Sequence, residues 1–256
     1  MSVLVNLLPY YLGQVKHGTK FAPCLVTNIL QKKHKNLKIN NLYDINNYDN
    51  IHTLQKYIMK NLKTNASKVV NIGGDHAISI GTVPPMIKKF PKLKVLWVDA
   101  HADINNMLNS PSNNIHGMPV YYLSELYRHK NALKFDNLMY VGLREIDTFE
   151  EHLINKHMIN FMHVDNLCES KLQNFVGDDP IHISFDFDVI DPIDFYCTGT
   201  PVLNGIRMNK LDKLLSSLPK DNIVSVDLVE FNPLIGSKDH YNKSMECIEN
   251  VCELLI

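Results

Sequence analysis

Residues 94–103 read KVLWVDAHAD, and this stretch decides the fold that we predict for the chain. The run 94–98 is short and almost wholly apolar, which is typical of a strand buried on both faces of a parallel sheet. Polar residues begin where the run ends, with Asp99, His101 and Asp103 at alternate positions. Because open α/β sheets bind ligands at the carboxyl ends of their strands, we expect a core strand that leads directly into a functional site.

The same pattern recurs along the whole chain, where short apolar runs alternate with longer amphipathic stretches. We predict strands near 2–7, 36–42, 68–73, 94–99, 137–142, 158–164, 181–187 and 223–229. We predict helices near 22–33, 51–62, 77–90, 118–130, 148–156, 167–175, 207–218 and 240–254. With no linker, repeat or low-complexity block between them, this alternation predicts a single doubly wound α/β domain over 1–256. It predicts a fold class and leaves the function open.

Composition excludes several kinds of partner and site. The formal net charge of −1 gives no footprint for a polyanion, so we expect no nucleic-acid partner. No apolar run approaches the ~18 residues of a membrane helix, and we interpret the apolar N-terminus as a first strand, so we expect no membrane partner. The 5 cysteines are scattered without a C-x-x-C pair, which indicates neither a disulfide framework nor a thiolate zinc site. We therefore expect reduced thiols and a cytoplasmic protein.

Further polar clusters follow other predicted strands, at 73–76 (GGDH), 184–188 (SFDFD) and 230–233 (EFNP). Residues two apart on an extended chain point to the same side, so the acids and histidines of each cluster are expected to converge. Asp99, His101 and Asp103, taken with His76, Asp186 and Asp188, place four carboxylates and two imidazoles at one edge of the sheet. The candidate metal ligands are His76, Asp99, His101, Asp103, Asp186 and Asp188.

The negative charge of this group of side chains indicates that it binds cations. Four clustered carboxylates repel one another and raise the pKa values of some members, whereas two divalent ions would balance their charge. Oxygen-rich ligands without thiolates suit Mn²⁺ better than a structural zinc, with Co²⁺, Fe²⁺ or Ni²⁺ as substitutes. Two such ions about 3.5–4 Å apart can share a water and generate hydroxide near neutral pH. Taken singly, each cluster has a plain alternative: an acidic loop, or a turn whose Asp caps a helix. Three clusters at strand ends favour the metal site.

Three motifs carry a family resemblance: GGDHAISIGT at 73–82, WVDAHADIN at 97–105 and SFDFDVIDP at 184–192. They are similar to the signature motifs of the ureohydrolases, the arginase and agmatinase family, and the resemblance covers about residues 12–254. It implies a three-layer α/β/α sandwich around an eight-stranded, mostly parallel sheet, with a binuclear Mn²⁺ site that hydrolyses guanidinium groups to release urea. It also implies two ligand sets, with His76 and Asp103 on one ion, His101 and Asp188 on the other, and Asp99 and Asp186 shared.

The loop 105–119, NNMLNSPSNNIHGMP, resembles the loop by which arginases recognise the α-groups of their substrate. Asn105, Ser110 and Ser112 stand where arginases place donors for the α-carboxylate. Asp147 matches the acid that faces the α-amino group. These matches favour L-arginine over agmatine, which has no α-carboxylate, and so favour the arginase branch of the family.

The resemblance assigns further roles near the bond that is cleaved. His116 matches a proton-shuttling histidine, a task that suits its near-neutral reference pKa. Glu230 matches the acid that binds the guanidinium in a charge-assisted pair, and Thr200 lies in the motif that lines this pocket. In the implied reaction a metal-bridging hydroxide attacks the guanidinium carbon, Asp103 passes a proton to the leaving amine, and ornithine and urea depart. The plainer alternatives are a helix-capping loop histidine at 116 and a surface acid after a strand at 230.

Two departures from the arginase pattern affect the same loop. Asn113 replaces the usual glycine, although asparagine tolerates left-handed backbone better than most residues. The segment 106–108 replaces small polar and proline residues, and either change bears on recognition of the α-carboxylate. The alternatives are a ureohydrolase for agmatine or another guanidino compound, a catalytically idle family member, and, more remotely, a zinc deacetylase on a related fold. A homo-oligomer is compatible with the family, and a trimer is left open.

Overall fold

The computed structural model of the chain describes residues 2–127 and 131–256, and its centre is one eight-stranded sheet. The strands are β1 Val3–Leu8, β2 Lys38–Asn41, β3 Lys68–Gly73, β4 Lys94–Val98, β5 Leu138–Leu143, β6 Asn160–His163, β7 Ile181–Asp186 and β8 Ile223–Val229. Each predicted strand is confirmed to within a few residues. The apolar runs identified the central strands because these are buried on both faces, whereas the edge strands β2 and β6 are largely exposed or half-buried.

The strand order is β2-β1-β3-β8-β7-β4-β5-β6, and every neighbouring pair is parallel. All carboxyl ends therefore lie along one edge. β3, β8, β7 and β4 are consecutive in this order, so the polar clusters that follow them are brought side by side. The arrangement gives strands far apart in sequence one common site.

The helices are α1 Ala22–Lys33, α2 Ile51–Asn61, α3 Ser79–Lys89, α4 Pro119–Leu123, α5 Thr148–Lys156, α6 Glu169–Val176, α7 Met208–Ser216 and α8 Lys238–Leu255. Apolar residues of α1, α6, α7 and α8 pack against one face of the sheet. Those of α2, α3, α4 and α5 pack against the other. The predicted three-layer α/β/α architecture is therefore confirmed.

One predicted helix is wrong in its extent. The pattern predicted a helix over 118–130, but α4 ends at Leu123. Ser124 has an extended backbone, its hydroxyl donates to the carbonyl of Tyr121 at 3.0 Å, and it accepts from the backbone N–H of Leu126 at 3.3 Å. Serine competes in this way for the backbone groups that a helix would use. Residues 128–130 of the prediction lie outside the described residues.

Short 3-10 segments join several of these elements. They are His17–Phe21, Tyr43–Asn47, His76–Ile78, Ile115–Gly117, Glu125–Tyr127, Phe135–Asn137, Val164–Asn166, Phe187–Val189 and Lys220–Asn222. Two of them turn the chain at the site edge: His76–Ile78 begins three residues after the end of β3, and Phe187–Val189 directly follows β7. Within 2–127 and 131–256, no helix has the length and apolar character needed to cross a membrane.

A single row of residues, one from each strand, crosses the sheet in register. In spatial order the row is Asn40, Asn6, Asn71, Asp227, Ser184, Trp97, Tyr140 and Phe161. Its first five members are polar and its last three are aromatic. We call it the cross-sheet row. It lies on the face covered by α3, two residues before the point where β4 and β7 reach the polar clusters.

Candidate functional site

Six acidic and imidazole side chains meet at the carboxyl edge of the sheet, and His76 is the centre of the first group. Its Nδ1 lies 3.0 Å from Oδ2 of Asp99, 3.0 Å from Oδ2 of Asp103 and 3.3 Å from Oδ2 of Asp186. All four residues are buried, at 0–6 % exposure. The structure thus brings together the set that the resemblance assigned to one ion.

The second group forms around His101. Its Nδ1 lies 3.0 Å from Oδ2 of Asp188 and 3.5 Å from Oδ1 of Asp99. Asp99 therefore turns one oxygen toward each histidine and belongs to both groups. Asp186 turns only Oδ2 toward His76, because its Oδ1 accepts from the backbone N–H of Asp188 at 2.8 Å. Its membership of the second group stays a prediction.

The side chains converge, but not along an extended strand as we expected. β4 ends at Val98, and Asp103 has a left-handed backbone with φ of 50°. The backbone N–H of His101 donates to Oδ1 of Asp99 at 2.7 Å, so the acid turns the chain back on itself. Asp188 lies in a 3-10 turn rather than in β7. An aspartate whose side chain accepts from the backbone N–H two residues later forms a turn of this kind. The side chains of the site therefore converge through turns and not through the alternation of side chains along a strand.

The six residues fit a divalent cation. Nδ1 of His76 is buried without a hydrogen-bond partner, although three carboxylate oxygens surround it. A buried polar nitrogen without a partner is costly, and a cation bound to its lone pair removes that cost. The ligand atoms of His76, Asp99 and Asp103, and those of Asp99, His101 and Asp188, lie within 4.8 Å of one another in each group. Carboxylate and imidazole ligands suit hard to borderline metal ions.

The buried acids raise one another's pKa values, as the sequence predicted. Burial first, and the charge of Asp99 second, raise the pKa of Asp103 to about 6. Burial, together with the charges of Asp188 and Asp99, also raises the pKa of Asp186. Burial alone would lower the pKa of His76, but its interactions with the surrounding acids, Asp103 first, outweigh burial and raise it. Four buried carboxylates with shifted pKa values around two histidines are the pattern expected of an ion-binding cluster.

Glu230 and the half-buried His116 form a pair beside the first group. Oε1 of Glu230 lies 3.2 Å from Nδ1 of His116 and accepts from the backbone N–H of His76 at 2.8 Å. Gln14 donates from Nε2 to the other oxygen, Oε2. Burial alone would lower the pKa of His116, but the hydrogen bond and charge of Glu230 raise it to about 9. Glu230 is 1 % exposed, so it is a desolvated negative charge beside His116.

A cavity of about 470 Å³ is lined by all the residues predicted to bind substrate except Glu230, which lies behind His116 and is not among the lining residues. Asn105, Ser110, Ser112, Asp147 and Thr200 all line it, with His116 and several of the acids. Nδ2 of Asn105 donates to Oδ2 of Asp147 at 2.7 Å, while its Oδ1 is buried without a partner. The hydroxyl of Thr200 donates to Oδ2 of Asp188 at 3.0 Å. The volume suits a small molecule with polar groups at both ends.

The loop on the open side of the cavity is a tight turn around Asn113. Asn113 has φ of 57°, so it adopts the left-handed backbone that we expected it to tolerate in place of glycine. Its N–H donates to the hydroxyl of Ser110 at 3.1 Å, and the N–H of Asn114 donates to that of Ser112 at 3.2 Å. The hydroxyls therefore brace the turn as well as lining the cavity.

Three site residues were missed. Gln14 follows β1 and holds Glu230. Asp75 accepts from the N–H groups of Gly13 and Ala77, and burial followed by the charge of Glu230 raises its pKa to about 7. Glu150 accepts from the N–H of Ile104, and burial raises its pKa to about 7. A signal existed for Glu150, because the D-x-x-E spacing of 147–150 predicts the capping box that begins α5. For Gln14 the only signal was its place after a strand.

Comparisons with known proteins agree with this geometry. Residues 2–253 match the model of the arginase family. The chain is 34 % identical over 241 residues to an arginase of Entamoeba histolytica, covering 86 % of this chain and 80 % of that protein. It is 33 % identical over 217 residues to an arginase of Staphylococcus aureus, covering 77 % and 72 %.

Solved structures give the same result at the level of the fold. The crystal structure of the Entamoeba histolytica arginase in complex with L-ornithine superposes with a TM-score of 0.83 at 28 % identity, covering 98 % of each chain. That of the Bacillus subtilis arginase also gives a TM-score of 0.83, at 26 % identity and with 98 % of each chain covered. A parallel α/β sheet with a cluster of metal-binding character at its carboxyl edge, together with these relatives, places the protein among the hydrolases of a metal-dependent class. Within that class, the chain belongs to the arginase family.

Proposed function

We propose that the protein hydrolyses the guanidinium group of L-arginine to L-ornithine and urea, with two Mn²⁺ ions per chain. The proposal rests mainly on Asp99, because one of its carboxylate oxygens faces His76 and the other faces His101. One shared carboxylate between two ligand groups is suited to a pair of ions rather than to one. Co²⁺, Fe²⁺ or Ni²⁺ could replace Mn²⁺ on such ligands.

The proposed ligands form two sets that share a member. His76, Asp103 and Asp186 would hold one ion with Asp99, and His101 and Asp188 would hold the other with Asp99 and Asp186. When bound, the ions supply a water acidic enough to react near neutral pH. The protein contributes the orientation of the substrate and the movement of protons.

The buried carboxylate of Glu230, behind the cavity-lining His116, is proposed to bind the reacting group. Glu230 offers a buried carboxylate to the planar guanidinium, which such an acid pairs with through charge-assisted hydrogen bonds. Asp103 would donate a proton to the leaving amine as the carbon–nitrogen bond breaks. His116, 15 % exposed at its side chain, would exchange protons between this buried site and the water outside.

The mouth of the cavity is proposed to select an α-amino acid. Asn105 and the hydroxyls of Ser110 and Ser112 offer donors to a carboxylate, and Asp147 offers an acceptor to an ammonium group. The related Entamoeba histolytica arginase was crystallised with L-ornithine, the product that this mouth would release.

The decisive test is urea release from L-arginine and from agmatine, at equal concentrations, after incubation with Mn²⁺. We expect arginine to be much the better substrate, Asp99→Asn to be inactive, and the exposed control Asp178→Asn to match the wild type. A preference for agmatine would contradict the proposal and favour an agmatine or other guanidino ureohydrolase. No urea from either substrate, with no bound divalent ion, would favour a catalytically idle family member.

The proposal includes a cytoplasmic location and a single catalytic domain, with a homo-oligomer left open. The five cysteines are all free in the structure, which suits a reducing compartment. Fractionation of cells that produce the protein would test the location. Light scattering of the purified protein would measure the number of chains per particle and decide between a monomer and a trimer.

A further inference from the structure

A chain of buried hydrogen bonds leads away from the candidate ligand His76 into the sheet. Nε2 of His76 lies 2.8 Å from the hydroxyl oxygen of Ser184. That hydroxyl lies 3.2 Å from the hydroxyl of Ser79, which in turn donates to Oδ2 of Asp227 at 2.9 Å. All four side chains are fully buried. The proposed reaction uses neither the serines nor Asp227.

The carboxylate fixes the direction of every bond in this chain. An ionised carboxylate can only accept, so the hydroxyl of Ser79 must donate to Asp227. Ser79 is then free to accept from Ser184, which leaves Ser184 to accept from Nε2–H of His76. The proton of the imidazole is thus held on Nε2. Its lone pair is left on Nδ1, the atom that faces the three carboxylates.

Asp227 is itself held as an acceptor. It accepts from Nδ2 of Asn71 at 2.7 Å and from the hydroxyl of Thr82 at 2.5 Å, and Nε2 of His182 lies 3.6 Å from its Oδ2. Burial alone would raise the pKa of Asp227, but His182 and the hydrogen bonds outweigh burial and lower it. The support continues outward along the cross-sheet row, because Asn71 accepts from Asn6 at 2.8 Å.

The two candidate metal-binding histidines differ in the partner of Nε2. Nε2 of His76 hydrogen-bonds to the buried Ser184, whereas the side chain of His101 is 25 % exposed. In the described part of the chain, no residue hydrogen-bonds to Nε2 of His101. Partners that fix the tautomer of a metal-binding histidine usually contribute about 10–100-fold to metal affinity. Any such contribution from Asp227 would therefore fall on the ion at His76 alone.

We propose that Asp227 is a positioning residue that sets the tautomer of His76 through Ser79 and Ser184, and so determines the affinity of one of the two ions. The inference rests on the proposed function only in taking His76 as a ligand. It assigns Asp227 no contact with substrate. Its effect is on the metal, before any reaction begins.

The test is Asp227→Asn, titrated with Mn²⁺ after removal of metal with a chelator, with free Mn²⁺ followed by its electron paramagnetic resonance signal. Oδ1 of Asp227 accepts from Asn71, so the new amide would place its NH₂ toward Ser79. It would then donate where the carboxylate accepted, and the whole chain would reverse and call for Nδ1–H on His76. We expect one Mn²⁺ to bind about 10–100-fold more weakly and the other within about twofold of the wild type.

Two further variants separate the tautomer from general damage. Ser184→Ala breaks the chain without reversing it, so we expect a smaller loss at the same ion, and this variant still tests the inference if Asp227→Asn does not fold. Thr82→Val removes another hydrogen bond to the same oxygen of Asp227 but leaves the chain to His76 intact. We expect it to lower the thermal midpoint of unfolding in chelator while both Mn²⁺ affinities stay unchanged.

The outcomes distinguish the two proposals. If the wild type binds no Mn²⁺ tightly, the proposed function fails. If the wild type binds two ions and both Asp227→Asn and Ser184→Ala bind them equally well, the proposed function stands and the role of Asp227 is refuted. Equal weakening of both ions, matched by Thr82→Val, would also refute it, because that result indicates a structural role only.

Discussion

The indole ring of Trp97 lies parallel to the imidazole of His76, with ring centroids 4.2 Å apart and 8° between the planes. The same indole donates from Nε1 to Oδ2 of Asp99 at 3.1 Å. One buried side chain therefore holds the ring plane of one candidate ligand and the carboxylate of another. Trp97 is a member of the cross-sheet row, so the sheet core supports the site directly.

Trp97→Phe should keep the stacked ring and lose the donor to Asp99. We expect the metal-free protein to lose about 1.5–3 kcal/mol of unfolding free energy, the usual contribution of a hydrogen bond to a charged group. Mn²⁺ affinity should fall by about tenfold, because the carboxylate is no longer oriented. Urea denaturation and Mn²⁺ titration measure the two effects.

A matched control is Thr27→Val in α1, on the opposite face of the sheet. It removes the buried hydrogen bond from Thr27 to the carbonyl of Pro23, 2.6 Å long, and should cost about 1 kcal/mol without changing Mn²⁺ affinity. An unchanged affinity in Trp97→Phe would show that Asp99 keeps its orientation without the indole.

Asn105→Ala should reduce kcat/KM for L-arginine by about 10–100-fold, which corresponds to the loss of a hydrogen bond to a charged group. The slower hydrolysis of agmatine should change by less than about threefold, since agmatine has no α-carboxylate. Steady-state urea assays on both substrates provide the comparison. The exposed Asn109→Ala serves as the control, and an equal loss on both substrates would place Asn105 outside α-carboxylate recognition.

His116 should make the stability of the metal-free protein depend on pH. Burial opposes the proton, but Glu230 outweighs burial and raises the pKa of His116 from 6.5 to about 9. A group that binds its proton more tightly when folded stabilises the fold fully below the unfolded pKa, and this stabilisation is lost as pH rises through the folded pKa. The stability that His116→Asn removes should therefore be greatest below pH of about 6.5 and smallest above about 9.

Urea denaturation in chelator, repeated across this pH range, measures the difference. Glu230→Gln should also reduce the pH dependence of the unfolding free energy, because a neutral amide does not stabilise the imidazolium of His116. A difference between wild type and His116→Asn that stays constant with pH would mean that the pair does not share a proton-dependent bond in solution.

Asn113→Gly should be close to neutral for stability, whereas Asn113→Val should cost about 1–2 kcal/mol. The φ of 57° suits glycine and asparagine, and a β-branched residue is strained there. Because the turn holds Ser110 and Ser112, the valine substitution should also raise KM for arginine. Thermal unfolding and substrate titration test both. A neutral valine substitution would indicate that the loop can adopt another turn at no cost.

The sequence was most informative where local pattern and burial coincide. Strands such as β4 and β8 are covered on both faces, so their apolar runs stood out from what surrounds them. The ligand clusters were predictable because they follow these strands directly. The helix predicted over 118–130 failed because one hydroxyl, that of Ser124, satisfies backbone groups in a way that periodicity does not encode.

Contacts between distant segments were beyond local pattern. Asp227, Ser184 and Ser79 come from three separate elements, and only the parallel register of β7 and β8 sets Ser184 beside Asp227. In the same way, Gln14 meets Glu230 across 216 positions of the chain. The strand order that produces these meetings depends on the packing of the whole sheet, which the spacing of residues along one segment does not specify.

The cross-sheet row makes the metal site sensitive to events far from it. Side chains alternate between the two faces of a sheet. If a strand paired one residue out of register, its residue of the cross-sheet row would therefore point into the helical layer on the opposite face. Asn40 lies four strands from Ser184, or about 19 Å at ~4.8 Å per strand, yet belongs to the same row. A chain that pairs β1 or β3 out of step would lose the support behind His76. Uptake of the ion at His76 during refolding should therefore come late and act as a chemical reporter of a correctly assembled sheet.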